Sequence, residues 1–145
     1  MIKYNHIRAS QPRVHVIAFY PYPETNPDTQ YDQDYHYKSL IYTYGINCQV
    51  VYAPEEVINL PDLPLIALEE PNNATVDLRE FTHPADAIYV VGNSRYPNPS
   101  DYFKADHRVS LATPGGTGHP LYGDQVMAIV LQDRCHLTQN LQISL

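Results

Sequence analysis

The chain has 145 residues, 43% of them hydrophobic and 17% charged, with a formal charge of −7 at neutral pH. That length predicts one domain, able to bury roughly 70% of its unfolded surface. The acidic balance argues against a general nucleic-acid binder, because phosphate neutralisation needs Lys and Arg and nine are present.

No apolar run approaches the ~18 residues of a membrane span, and the start MIKYNHIRASQPR lacks a signal-peptide core. A soluble, cytoplasmic protein with no membrane partner is expected. Residues 1–12 lack periodicity and read as an arm, leaving 13–145 as a single domain. Val14–Tyr20 is an unbroken apolar run suited to a strand buried on both faces. Three prolines in PYPETNPDTQ then force a loop. Tyr31–Tyr44 carries its apolar and aromatic positions at helical spacing, and Gly45 closes that helix. Asn47–Ala53 and Pro64–Leu68 are the second and third strands, and Asn73–Phe81 reads as a short amphipathic helix. Ala87–Val91 is a fourth strand, Ser100–Lys104 one helical turn, and His107–Leu111 a fifth strand. The last helix is expected over Tyr122–Cys135, apolar at 126, 127, 129, 130 and 131 and buried on most sides. Cys48 and Cys135 read as buried small hydrophobes rather than a disulfide.

This alternation predicts an α/β protein, a mainly parallel five-stranded sheet between helices. Ligands of such sheets bind beyond the carboxyl ends of the strands, so the loops after Tyr20, Val91 and Leu111 are the candidates. LATPGGTGHPLYGDQ, over 111–125, stands out among them. Its glycines allow a close backbone approach, and it delivers the chain to a helix N-terminus whose N–H groups can donate. It is neither a Walker loop nor a dinucleotide fingerprint. None of the seven histidines falls in a zinc-ligand spacing, and His119 is the one that sits in a functional loop.

The order of parts resembles the SPOUT methyltransferases of the TrmH-like branch. The opening strand, the Asn26-Pro27 loop, the helix closed by Gly45-Ile46 and CQVVYAP match its first half. Tyr89-Val90-Val91-Gly92-Asn93, HRVSLATP and AIVLQD resemble the rest. The resemblance implies an α/β knot, a deep trefoil knot in the C-terminal third, and S-adenosylmethionine as cofactor. It places the cofactor loops at Val91, Gly92, Asn93; at Leu111, Ala112, Thr113, Pro114; and at Leu121, Tyr122, Gly123. It also implies a homodimer acting on RNA, with ribose 2′-O-methylation as the commonest reaction. His119, Tyr122 and Asp124 are the candidates for the chemistry near the methyl group, with Lys38 and Arg95 for substrate phosphate. Three motif positions depart from the family. Ser39 stands at the place of its arginine, Ser94 at that of its glutamate, and Pro120-Leu121-Tyr122 at that of its Ser-Leu-Asn. A non-catalytic descendant that binds a ligand or partner is the alternative expectation.

Overall fold

Six short runs become strands: β1 Val14–Phe19, β2 Asn47–Val51, β3 Leu65–Glu69, β4 Val76–Asp77, β5 Ala87–Val91 and β6 His107–Ser110. Two helices accompany them, α1 over Pro27–Tyr44 and α2 over Gly123–Ser144. These elements belong to a computed structural model that describes residues 14–20, 27–57, 60–92, 97–113 and 121–144, without the side chains of 27–34 and 137–144. The expected arm lies outside the described residues, as do Asn93, Arg95, Pro114 and His119.

Every strand pairing is parallel, in the order β2-β1-β5-β3-β6-β4. Without the two-residue β4, the strands run second, first, fourth, third, fifth, which differs from the 2-1-3-4-5 order of flavodoxin-like sheets. The central strands are buried on both faces, as their unbroken apolar sequences require. Val16, Ala18, Ile66, Leu68, Tyr89, Val91 and Val109 face one core, together with Tyr37 and Leu40 of α1 and Met127, Val130 and Leu131 of α2. Both helices therefore lie on the same side of the sheet, so the sheet is not held between helices as expected. Ile17, Phe19, Val51, Ile88 and Val90 face the other way, where Val57, Leu60, Leu63 and Phe103 cover them from irregular chain. Phe19 packs there against Tyr102 and Phe103, with ring centroids 4.8 and 5.0 Å apart.

The departures from expectation have local causes. α1 begins at Pro27 rather than Tyr31. A first-position proline has its φ preset for a helix and gives up an N–H that would have no intrahelical acceptor there. Its end is as expected, with Gly45 at φ 65° and its N–H on the Ile41 carbonyl, 2.9 Å away. β2 stops at Val51 because the Glu56 carboxylate takes the N–H of Tyr52, at 3.3 Å. No helix forms over 73–81. The Asn72 side chain accepts from Ala74 N–H at 2.8 Å, and Thr75 Oγ1 accepts from Asn72 N–H at 3.1 Å, a local turn that competes with helix. β4 and one 3₁₀ turn at Leu78–Glu80 follow instead. Among its described side chains α2 buries one stripe, Met127, Val130, Leu131 and Arg134, and leaves Ile129 43% exposed, so this part is less enclosed than its composition suggests.

Candidate functional site

The ends of β1, β5, β3 and β6 come level at one edge of the sheet, through the pairs Ala18 with Val91, Leu68 with Val91 and Glu69 with Ser110. α2 starts on this edge. Tyr122 is its N-cap residue, since its carbonyl accepts from Val126 N–H at 3.0 Å. Its own N–H donates to Gln125 Oε1 at 2.8 Å, half of a capping box supplied by the third helical position.

Gly123 meets the end of β5 directly. A Cβ built at Gly123 would stand 2.6 Å from the Tyr37 hydroxyl and 2.7 Å from the Gly92 carbonyl oxygen. The segments at 91–92 and 121–123 thus meet, and the missing side chain at 123 makes room for the chain's own backbone. The Tyr20 hydroxyl donates to that of Tyr37 at 3.5 Å. Burial, reinforced by Tyr20, pushes the Tyr37 hydroxyl well above the ordinary tyrosine value, so it acts as a fixed protonated group and not as a base.

The third expected segment turns elsewhere. Leu111 and Ala112 border a groove of about 660 Å³, closed by Leu78 and Arg79 on one side and by Ala128, Ile129 and Gln132 of α2 on the other. Thr113 is exposed beside it. The fit to an adenosyl ligand divides accordingly. Carbonyl oxygens at the strand ends and the Asp124 carboxylate suit a cationic sulfur, and the first-turn N–H groups of α2 can donate to a purine or ribose. The space beside Gly123 is filled, so room for the ligand lies on the Leu111 side.

Of the residues expected to carry chemistry, Tyr122 is 69% exposed and makes its contacts through its backbone. Asp124 gains a partner that sequence reasoning missed: His36 of α1, with Nδ1 2.9 Å from Asp124 Oδ2. The carboxylate holds one ring nitrogen and leaves the other end of a largely exposed imidazole facing outward. An oriented histidine of this kind can take up a proton. No spacing rule could have found the pair, because 88 positions separate its members. Lys38 is exposed on α1 but lies about 200° around the helix from His36, so it does not share the edge with Asp124. Ser39 turns its hydroxyl back to the His36 carbonyl at 2.7 Å and does not replace the family's arginine.

A second missed residue braces the edge from the opposite face. The Glu69 side chain is fully buried at the end of β3, and its Oε2 accepts from Arg108 Nε and Nη2 at 3.0 and 2.7 Å. Its Oε1 accepts from Ser100 N–H at 3.1 Å, tying the β5–β6 connection to β3. Burial alone would raise the Glu69 carboxyl, but the hydrogen bonds from Arg108 and Ser100 outweigh it and hold the group below its ordinary value.

No protein-family model matches the chain, and no curated protein matches it. Fold and edge together define its class: an all-parallel α/β protein whose last helix starts on the carboxyl ends of its strands. Among the described residues no helix is long and apolar enough to cross a membrane.

Proposed function

We propose that the chain is an S-adenosylmethionine-dependent methyltransferase-like protein of the α/β-knot class, acting as a homodimer on a ribose hydroxyl of RNA. The observation that carries this reading is the place of β6, which pairs with β3 on one side and β4 on the other. Residues 70–75 therefore bridge its carboxyl end. Leu78 and Phe81 then bring the chain back along the helix-covered face toward β5. A strand enclosed by such a loop, followed by a helix that returns to the end of β5, is what a threaded C-terminal third requires.

The carboxyl ends of β5 and β6 and the first turn of α2 are the groups suited to hold the cofactor. When bound, S-adenosylmethionine supplies an electrophilic methyl group. His36 accepts the proton of the substrate hydroxyl at Nε2, while Asp124 keeps the ring oriented through Nδ1. Association as a dimer draws support from the exposed Tyr35 and Tyr42, about two helical turns apart on α1, and from Ile129 on α2. A cytoplasmic location belongs to the same proposal.

Calorimetric titration with S-adenosylmethionine and S-adenosylhomocysteine tests the cofactor. Saturable heat with both is expected. No heat with either overturns the methyltransferase reading and leaves the non-catalytic binding protein in its place. His36→Gln should leave that binding unchanged and slow methyl transfer by at least about a hundredfold. Sedimentation at micromolar concentration should give a dimer, and a monomer there removes the dimer from the proposal.

A further inference from the structure

Far from Asp124, along α2, lies a buried polar chain that the proposed reaction does not use. The His83 side chain is 5% exposed and bridges two elements. Its Nδ1 is 2.7 Å from the hydroxyl of Tyr89 in β5, and its Nε2 is 2.8 Å from Asp133 Oδ2 in α2. Arg134, 7% exposed, reaches the same Tyr89 hydroxyl at 3.2 Å and donates to the carbonyls of Pro84 and Ala85. The Phe81 ring packs edge-on against the imidazole, with centroids 5.3 Å apart.

Hydrogen-bond chemistry fixes every proton in this chain. A guanidinium can only donate, so Tyr89 Oη accepts from Arg134. An ionised carboxylate can only accept, so His83 Nε2 carries the ring proton and gives it to Asp133. In the neutral ring Nδ1 is then an acceptor, and Tyr89 O–H supplies it. A second proton on His83 breaks this order. Nδ1–H then needs the Tyr89 oxygen as its acceptor, which turns the tyrosine O–H away from the imidazole at a side chain that is 0% exposed. The cationic ring also faces Arg134. Asp133 favours that ring, as the one carboxylate in contact with it among the described residues.

We propose that neutral His83 is a pH-responsive latch fastening the returning chain at 81–85 to α2, and that its protonation loosens α2 and with it the carboxyl-edge site. Gly123 and Asp124 ride on the same helix, so the latch and the edge move as parts of one element. Burial supports the direction, pushing His83 below the ordinary histidine value against the pull of Asp133, with Arg134 adding to the decrease. The unfolded chain therefore takes up this proton at a higher pH than the folded one. The latch contributes fully above the ordinary histidine value of about 6.5 and is lost as pH falls from there through the folded value.

The test uses the full chain and its His83→Gln variant, whose amide can accept from Tyr89 and donate to Asp133 without titrating in this range. Urea unfolding is followed from about pH 7.5 down to about pH 5. The folding constant of the wild type should fall about tenfold more than that of H83Q for each unit by which folded His83 lies below its ordinary value. Nitrogen NMR of the wild type should show His83 as the Nε2–H tautomer at neutral pH, with amide exchange in α2 speeding on acidification. Parallel pH profiles for the two proteins, or an Nδ1–H or doubly protonated ring at neutral pH, would overturn the latch. The NMR result decides the question even if H83Q fails to fold.

Discussion

Gly123→Ala should unfold at a urea midpoint about 1 M below that of the wild type, a loss of about 2 kcal/mol. Alanine is ordinarily favoured over glycine in a helix, by up to about 1 kcal/mol. Space reverses that preference at this position. The added carbon would sit 2.6 Å from the Tyr37 hydroxyl and 2.7 Å from the Gly92 carbonyl oxygen. Tyr37 is 2% exposed and the second obstacle is backbone at the end of a central strand, so neither yields cheaply. The first turn of α2 must lift, weakening the contact between His36 and Asp124. Tyr37→Phe in the same chain removes one obstacle and should restore part of the loss, because the Gly92 carbonyl remains. A G123A protein as stable as the wild type would show that α2 is not seated on β5 in this way.

Arg108→Met should lower the urea midpoint at neutral pH, through the carboxylate left behind rather than through the arginine itself. The Glu69 side chain is 0% exposed, and both Arg108 nitrogens converge on its Oε2. Removing them leaves a buried charge that retains the Ser100 N–H. Glu69→Gln in the R108M background discharges the site and should recover most of the loss. The pH dependence has a definite sign in each protein. In the wild type the folded carboxyl lies below its ordinary value, so its contribution is present above the unfolded value of about 4.3 and is lost as pH falls through the folded one. In R108M burial prevails and the carboxyl rises, so the deficit relative to wild type should shrink on acidification. Equal midpoints for R108M and wild type across this range would show that Glu69 does not depend on Arg108.

Both residues illustrate how far the sequence could be read. β5 occupies Ala87–Val91 as expected, and β1, β2, β3 and β6 end within two residues of their expected limits. Short β-branched apolar runs bounded by Pro, Gly and Asp announce themselves through neighbours a few positions away. Gly45 closes α1 for the same kind of reason, since a C-terminal cap is settled within four residues. Asn73–Phe81 misled because its apolar spacing is helical while Asn72 and Thr75 offer the backbone a nearer set of partners. Helical periodicity marks the apolar side of α1 and α2, but it carries no information about which face of the sheet receives that side.

The residues of the edge divide along the same line. The sequence marked Gly92 as a close-approach glycine after a buried strand, and the resemblance added Gly123 as a cofactor-loop residue and Asp124 as a candidate for the chemistry. Sequence alone could not pair Gly92 with Gly123, His36 with Asp124, Glu69 with Arg108 or His83 with Asp133, which lie 31, 88, 39 and 50 positions apart. Conformational preference acts over a few residues and leaves its trace in composition and spacing. Burial, the ion pair at the end of β3 and the proton order around His83 arise when β5 enters between β1 and β3 and α2 settles over it, so they belong to the tertiary structure alone.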